Sequence, residues 1–501
     1  MRLAFPILAL LTIPAATLAD VKPAPLFSDH LVLEAGMSVP VWGTASPGEQ
    51  VAVTFNGQQQ RTTTGADAKW MVRLTGLQPG GPFEMTIAGT NTVTVKDVLV
   101  GEVWLGSGQS NMAFTVSKAK ARYAGLVNEE EIIAAANFPK LRVFTGKEVK
   151  AYDPQPVVEG RWEVCSPETV PGFSAVAYLF GRNLHTELNV PVGMIVLAYG
   201  ASTAEAWIPR EALAADPLLK PMLDRFDASV NFYRSNPQAP ADQAPQPPQT
   251  INARPGPPPR QQHDPVQDQH QPTVLFNGMI RGAIPFAIRG VIWYQGESIV
   301  GGDAGVTLYP HVQNTLVTEW RKLWGEGDFP FYVVQLPALK NISNNPRVRE
   351  GQAAVLSLPN TGVAVTLDIG DPNDVHPHNK EPLADRLVRI ALANVYHRKI
   401  EYSGPTYESM TIEGSTIRLK FSNLGGGLIA KDGPLKWFQV AGADRKFVDA
   451  EARIDGETIV VSRGDVTVPQ AVRYAWDNYP EGANLYNAAG LPAAPFRTDH
   501  W

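Results

Sequence analysis

The sequence predicts an α/β fold in which a parallel sheet flanked by helices carries a β-sandwich-like module at each end of the chain. One observation is a helix-to-strand repeat, because residues 174–188 show apolar side chains near helical spacing and the apolar run 190–198 follows directly. A second is a set of apolar runs that end in small or polar residues, at Ser110, Gln295 and Asp371. The third is a series of short alternating runs, broken by glycine and proline, near both ends.

The same patterns divide the chain into segments. The first residues combine Arg2, an apolar run and small residues up to Ala19, which is typical of a secretory signal, with an N-terminal anchor as the alternative. The expected segments are a signal peptide at 1–19, an N-terminal β module at 20–98, an α/β domain at 99–400 and a C-terminal β module at 401–501.

An insertion interrupts the α/β domain at residues 237–272. It is rich in proline and glutamine and has almost no large apolar residues over much of its length. Such a composition buries too little apolar surface to offset the entropy of ordering, so we expect little order there. His263 and His270 lie within it, and neither is expected to bind a metal.

Charge, cysteine content and hydropathy exclude several classes of protein. The 501 residues carry a net charge of −6 without a long basic run, so we expect no nucleic-acid partner. Cys165 is the only cysteine, so no intramolecular disulfide forms. After residue 19 no segment has the roughly 20 uninterrupted apolar residues of a membrane span. We therefore expect a secreted or periplasmic protein whose mature chain does not span a membrane.

The stretch GEVWLGSGQSNM, residues 101–112, organises the rest of the chain. An apolar, β-rich approach ends in small residues around Ser110, and parallel strands deliver such residues to the edge of the sheet where ligands bind. Gly106 and Gly108 lack a Cβ and permit the tight backbone turn that this position requires. Taken alone, this motif also fits a surface turn with a hydrogen-bonding serine.

Three motifs occur in a fixed order: GQSNM at 108–112, WYQGES at 293–298 and DPNDVHP at 371–377. Together they resemble the SGNH hydrolases, specifically the sialate O-acetylesterase family of carbohydrate esterases. Further similarity at 190–209, 272–280 and 484–499 extends the resemblance over nearly the whole mature chain. The resemblance implies an SGNH-hydrolase-like sheet and a serine esterase that removes acetyl groups from sugars through an acetyl-enzyme intermediate.

Ester hydrolysis requires a nucleophile, a base and donors for the oxyanion. Ser110 is the expected nucleophile. His376 is the expected base, because it stands in a strand-end loop and matches the histidine of the family motif. His378 is expected to face solvent.

The acid of the triad is left open by the sequence. Many SGNH enzymes have an acid three residues before the histidine, where this chain has Asn373. Asp374 is the first substitute, Asp371 the second and Glu297 the third. A backbone carbonyl could also orient the imidazole and leave a Ser-His dyad.

The resemblance also implies the oxyanion hole. Its donors would be the backbone N–H groups of Ser110 and Gly200 and the side-chain amide of Gln295, which stands where many SGNH enzymes carry asparagine. Gln109 and Asn111 are expected to hold the turn or to bind substrate, and Glu297 and Asp371 could support the site. No motif resembles a phosphate loop or a zinc site, so we expect no cofactor and no metal.

Three functions remain at this stage. The first is deacetylation of O-acetylated sialic acids, the substrate in the family's name. The second keeps the chemistry but acts on acetylated xylan or another polysaccharide. The third is a carbohydrate-binding protein with an inactive hydrolase domain, which the retained Ser110, Gln295 and His376 disfavour.

Overall fold

The computed structural model describes residues 20–121, 124–236, 263–299 and 302–501. The predicted signal peptide and residues 237–262 of the insertion lie outside these ranges. The described helices are α1 (Ser110–Ala113), α2 (Glu129–Ala134), α3 (Ala175–Leu188), α4 (Arg210–Ala215), α5 (Lys220–Ser235), α6 (Gly302–Trp324), α7 (Asn345–Ala353) and α8 (Glu381–Asn394). None of these helices combines the length and the hydropathy needed to cross a bilayer.

The strands fall into three groups along the chain. The first comprises β1 (Lys22–Pro23), β2 (Val32–Glu34), β3 (Val39–Thr44), β4 (Gln50–Phe55), β5 (Gln58–Thr63), β6 (Lys69–Leu74), β7 (Gly80–Ala88) and β8 (Thr92–Gly108). The second comprises β9 (Phe138–Gly146), β10 (Gly160–Cys165), β11 (Val192–Ala198), β12 (Gly290–Tyr294), β13 (Phe331–Val334) and β14 (Thr361–Ala364). The third comprises β15 (Thr406–Glu413), β16 (Thr416–Ser422), β17 (Leu428–Ala430), β18 (Phe438–Ala441), β19 (Phe447–Asp449), β20 (Glu451–Asp455), β21 (Thr458–Ser462), β22 (Ala471–Tyr474), β23 (Leu485–Asn487) and β24 (Phe496–Arg497).

The central sheet has the strand order β10-β9-β11-β8-β12-β13-β14. Every neighbouring pair in it is parallel except the edge pair β10 and β9. The chain adds β9 and β11 on one side of β8 and β12 to β14 on the other, so β8 lies at a switch point of the topology, where open α/β sheets bind ligands. The predicted α/β fold with a parallel sheet is confirmed.

Helices cover both faces of this sheet. Trp104 of β8 packs against Phe180 of α3, with ring centroids 5.1 Å apart. Trp293 of β12 packs against Trp320 of α6 at 5.8 Å. In the strand register Trp293 is paired with Ser107, three residues after Trp104, so the two tryptophans leave opposite faces of the sheet. The helices α3 and α6 therefore lie on opposite sides.

The N-terminal β module shares a strand with the central sheet. The first part of β8 pairs with β7, and its last part pairs with β11 and β12. The predicted boundary after residue 98 therefore falls inside one continuous strand. The strand β2 also pairs with β8. Its fully buried Glu34 accepts a hydrogen bond from the backbone N–H of Val103 at 2.6 Å and forms an ion pair with Arg289.

The C-terminal β module has its own apolar core between the sheets β15-β16-β21-β20 and β19-β18-β22-β24. Ala338 and Leu367 of the α/β domain join that core. The guanidinium of Arg349 in α7 is buried between the two units and donates to the carbonyl oxygens of Leu336 and Pro337 on one side and of Asp477 and Asn478 on the other. The module is thereby attached to the α/β domain.

The expectation of little order in the insertion is wrong for residues 263–272. Val266 is buried, Tyr152 donates a hydrogen bond to the carboxylate of Asp264, and Thr203 donates to the carbonyl of His270 at 3.2 Å. The sequence did not indicate these contacts, because Tyr152 and Thr203 are far from residues 263–272 in sequence.

Candidate active site

Ser110 is the first residue of α1 and follows β8 after a tight turn. Gly108 adopts φ +135°, and a Cβ at this position would lie 2.1 Å from the carbonyl oxygen of Tyr294 in the neighbouring strand. Only glycine allows this approach. The carbonyl of Gln109 then accepts from the N–H groups of Met112 and Ala113, which starts the helix. The N–H of Ser110 belongs to the first turn, where helices have no internal acceptor.

His376 lies in the loop between β14 and α8 and reaches the serine. Its Nε2 is 2.8 Å from the Oγ of Ser110. The imidazole is 14% exposed. Burial, reinforced by the positive charge of Lys380, lowers the pKa of His376 to about 4, although Asp374 opposes that shift. The ring is therefore neutral at pH 7 and able to accept the serine proton.

Asp374 is the carboxylate that faces the other ring nitrogen of His376. Its Oδ1 lies 3.4 Å from His376 Nδ1 and accepts the backbone N–H of His376 at 2.8 Å. Burial acts to raise the pKa of Asp374, but the backbone N–H of His376 and the two nearby imidazoles outweigh it and the pKa is lowered. The carboxylate is therefore ionised at neutral pH.

His378 lies on the other side of Asp374. Its Nε2 is 3.3 Å from Asp374 Oδ2, and its Nδ1 is within hydrogen-bond distance of the carbonyl of Gly125. The side chain is 40% exposed. The ring therefore faces solvent in part, and it also joins the acid to the loop before α2.

The other two acids have different partners. Asp371 Oδ1 accepts the backbone N–H groups of Asn373 at 2.7 Å and of Asp374 at 3.0 Å, so it closes the turn of the histidine loop. Glu297 is buried, and its Oε1 accepts the amide of Asn111 at 2.6 Å. Burial raises the pKa of Glu297, which Asn111 and Lys380 partly oppose.

The predicted oxyanion donors lie at the carboxyl edge of the sheet. Gly200 is in a turn just after β11, where the N–H of Tyr199 donates to the carbonyl of Gly108 at 3.0 Å. Gln295 follows β12 and is fully buried. Its amide nitrogen donates to the carbonyls of Ser202 at 3.2 Å and Ser298 at 3.0 Å. In this arrangement Gln295 supports the turn that carries Gly200.

The residues that flank Ser110 are both buried. The backbone N–H of Gln109 donates to the carbonyl of Tyr294 at 2.9 Å, and among the described residues its side-chain oxygen has no hydrogen-bond partner. The Asn111 amide nitrogen donates to Glu297 and, at 2.9 Å, to the carbonyl of Val375. Asn111 therefore holds the serine turn and the histidine loop together.

Sequence reasoning missed Lys380. Its ammonium is completely buried and donates to Asn111 Oδ1 at 2.5 Å. One signal was available, because Lys380 occupies the N-cap of α8, where the helix dipole disfavours a cation. A residue that conflicts with its local position often belongs to a functional site.

A serine and a histidine in contact at the carboxyl edge of a parallel sheet are the arrangement that serine hydrolases of the α/β class use. Residues 267–393 match the family described as "Carbohydrate esterase, sialic acid-specific acetylesterase". The chain is 32% identical to a carbohydrate acetylesterase from Xanthomonas citri, with a TM-score of 0.82 and coverage of 96% of this chain and 100% of that one. It belongs to the sialate O-acetylesterase family and is a carboxylic ester hydrolase.

Mammalian relatives extend over most of the chain as well. The sialate O-acetylesterase of Mus musculus is 28% identical over 521 residues, covering 91% of this chain and 90% of the relative. The sialate O-acetylesterase of Homo sapiens is 28% identical over 513 residues, covering 91% and 88%. The similarity therefore includes both β modules and is not confined to residues 267–393.

Proposed function

We propose that the protein is an exported serine esterase that removes O-acetyl groups from sialic acids. The observation that carries this proposal is the 2.8 Å contact between His376 Nε2 and Ser110 Oγ. A neutral imidazole at this distance is placed to remove the serine proton as the hydroxyl attacks the acetyl carbonyl.

The reaction then has two halves. In the first, Ser110 Oγ attacks the carbonyl carbon, His376 takes its proton, and the sugar hydroxyl leaves with that proton while the acetyl group stays on the serine. In the second, His376 takes a proton from water, the resulting hydroxide attacks the acetyl-enzyme, and acetate departs as the serine recovers its proton. Asp374 stabilises the imidazolium that forms in each half.

The oxyanion would be held by backbone N–H groups. Ser110 supplies one from the first turn of α1, and we propose Gly200 for the other, from the turn after β11. Loss of one oxyanion donor typically costs about 2.7 to 4 kcal/mol of transition-state stabilisation. Since the Gln295 amide already donates to two carbonyls, we assign Gln295 to holding the Gly200 turn.

An acidic sugar would be favoured by a cation beside this turn. The ammonium of Lys150 lies 5.0 Å from the ring centroid of Tyr199, the residue before Gly200. It also donates to the carbonyl of Gln267 at 2.7 Å, which fixes its position. We propose that Lys150 attracts the carboxylate of a sialic acid.

Deacetylation of a neutral polysaccharide such as acetylated xylan is the second candidate. It agrees with the 32% identical relative from Xanthomonas citri, which is a carbohydrate acetylesterase with no particular sugar in its name. The two candidates share the chemistry of Ser110 and His376 and differ in the sugar.

Acetate release tests both the chemistry and the sugar. Ser110→Ala should abolish hydrolysis of an aryl acetate while leaving the circular dichroism spectrum unchanged, because it removes only a hydroxyl. Turnover above a few per cent of wild type would refute the nucleophile. With O-acetylated sialosides, Lys150→Met should raise KM by about two- to fivefold, the upper part of the range of one screened charge contact, and should leave KM for acetylated xylan unchanged. Equal effects on both substrates would contradict an acidic sugar.

Export and the role of the β modules are part of the same proposal. N-terminal sequencing of the mature protein should begin at Asp20, and an intact N-terminus would contradict cleavage after Ala19. We propose that both modules serve as packing platforms for the α/β domain, since the first shares β8 and the second contributes apolar contacts to Leu367.

A further inference from the structure

We infer that Lys380 is a positioning residue that, through Asn111, fixes the serine turn to the loop that carries His376. The inference rests on the proposed function, in which Ser110 and His376 carry out the chemistry. It adds a residue that touches neither the substrate nor the reacting atoms.

Asn111 is the part that the lysine orients. This residue follows Ser110 directly, and Val375, whose carbonyl accepts from the Asn111 amide nitrogen at 2.9 Å, precedes His376. An asparagine amide has one accepting end and one donating end, so its partners decide which way it points. Here the oxygen faces the ammonium of Lys380 at 2.5 Å and the nitrogen faces the carboxylate of Glu297 at 2.6 Å. The cation and the anion together select a single orientation.

The position of Lys380 has no structural reason in its own helix. It stands at the N-cap of α8, where the dipole opposes a positive charge, and it is completely buried. Its ammonium lies over the rings of Phe114 at 4.9 Å and Tyr294 at 5.1 Å. Burial lowers the pKa of Lys380 to about 7, and Glu297 and Asp374 oppose this shift. Burying a charged lysine costs free energy unless its ammonium is paired and hydrogen-bonded, and here it donates to Asn111.

The charge of Lys380 also acts on the imidazole. The groups that face His376 in the described structure are Asp374 and His378 of its own loop, Lys380 at the start of α8, and Ser110 of α1. Lys380 and burial lower the pKa of His376, whereas Asp374 raises it. The lysine therefore keeps the base unprotonated under mildly acidic conditions.

Replacement of Lys380 by methionine tests both effects. Lys380→Met keeps an unbranched side chain, shorter by one non-hydrogen atom, and removes the charge and the donor. It should lower kcat by about 10- to 100-fold, the range for a lost hydrogen bond to a buried charged group, with KM changed less than about threefold. Without the neighbouring cation the pKa of His376 rises, so the acid limb of kcat/KM should move from about pH 4 toward the ordinary imidazole value of ~6.5. Lys322→Met, an exposed lysine of α6, is the matched control.

The double variant tests whether the two charges act through Asn111. Glu297→Gln alone leaves the ammonium buried without its anion, and Lys380→Met alone leaves the carboxylate buried without its cation. Removing both charges replaces a buried cation and a buried anion, bridged by Asn111, by neutral groups, which proteins tolerate better than a single unbalanced buried charge. The double variant should therefore lose several-fold less kcat than the product of the two single losses.

Two results would overturn the inference: an acid limb of Lys380→Met that coincides with that of wild type, or losses of kcat that multiply in the double variant. The position of an acid limb does not depend on the amount of active enzyme, so partial misfolding of Lys380→Met does not hide the answer. If His376 is not the base of the proposed function, the result is different, because His376→Ala would then retain esterase activity. An inactive His376→Ala with an unmoved limb in Lys380→Met rejects only the role of Lys380.

Discussion

Replacement of Asp374 by asparagine tests the acid of the proposed triad. Asp374→Asn keeps the volume of the side chain and removes the charge that faces His376 Nδ1. An amide can also present its NH₂ group to this nitrogen and thereby favour the wrong imidazole tautomer. We expect kcat to fall while the fold is retained.

The size of the fall follows from distance and exposure. At the observed separation of 3.4 Å, and at effective dielectric constants of about 20 to 80, two unit charges interact by about 5 to 1 kcal/mol. The Asp374 side chain is 44% exposed, so solvent screening places the interaction in the lower half of that range. Since each 1.36 kcal/mol is tenfold in rate, we expect a loss of about 10²-fold. The buried aspartate of serine proteases contributes more, on the order of 10⁴-fold.

The assay is kcat for aryl acetate hydrolysis, with two carboxylates as matched controls. Asp371→Asn should be milder than Asp374→Asn, because Asp371 accepts two backbone N–H groups and does not face the imidazole. Glu297→Gln removes the charge of the buried carboxylate that accepts the Asn111 amide, and it tests Glu297 as the third candidate acid. If all three variants keep kcat within about tenfold of wild type, no carboxylate acts as the triad acid and a Ser-His dyad remains. A loss of 10⁴-fold in Asp374→Asn would refute the screening argument.

Three further predictions follow from the contacts. Because the pKa of His376 is lowered to about 4 and the base must be neutral, kcat/KM should stay level from about pH 6 down to about pH 5, where Lys380 stays charged, whereas an acid limb with a midpoint of ~6.5 would contradict the burial argument. Gln295→Leu should lower Tm as well as kcat, since two buried carbonyls lose their donor; a loss of kcat at constant Tm would instead support a direct oxyanion role. Deleting 238–260 should leave Tm within about 2 °C, whereas deleting 238–271 should lower it by more than about 4 °C; equal Tm values would show that the contacts of Val266 contribute nothing.

The fold could be predicted because local patterns and global packing agree. The run before Ser110 is the last part of β8, and residues 174–188 form α3 almost as expected, with Ser174 as its N-cap. The apolar run at residues 362–370, which leads to Asp371, is a strand only as far as Ala364, where β14 ends. Beyond that point the carbonyl of Val365 accepts from Arg386 at 2.6 Å, so a side chain replaces a neighbouring strand as the partner.

The candidate site was predictable only in part. Ser110 follows β8 and His376 lies in the loop after β14, and parallel strands end at one edge, so topology brings both residues to that edge. The 2.8 Å contact also depends on the course of the loop between Ala364 and His376. The contact of Asn111 with Glu297 joins residues 186 positions apart and depends on which side chains turn inward. Lys380 shows no motif, and only its unfavourable place at the N-terminus of α8 distinguishes it in the sequence.

The strand β8 connects the N-terminal module to Ser110, the proposed nucleophile. Residues 92–100 of this strand pair with β7, and residues 102–108 pair with β11 and lead directly to Ser110. The proposed nucleophile thus follows a strand whose other half belongs to the β module. Glu34 of β2 accepts the N–H of Val103 in β8 and pairs with Arg289. Burial and the neighbouring Glu102 raise the pKa of Glu34, and Arg289 and the Val103 N–H oppose that rise. Because cutting the chain at residue 98 would remove half of the strand and both of these contacts, we predict that residues 99–400 expressed alone lose esterase activity, and an active fragment would contradict this reasoning.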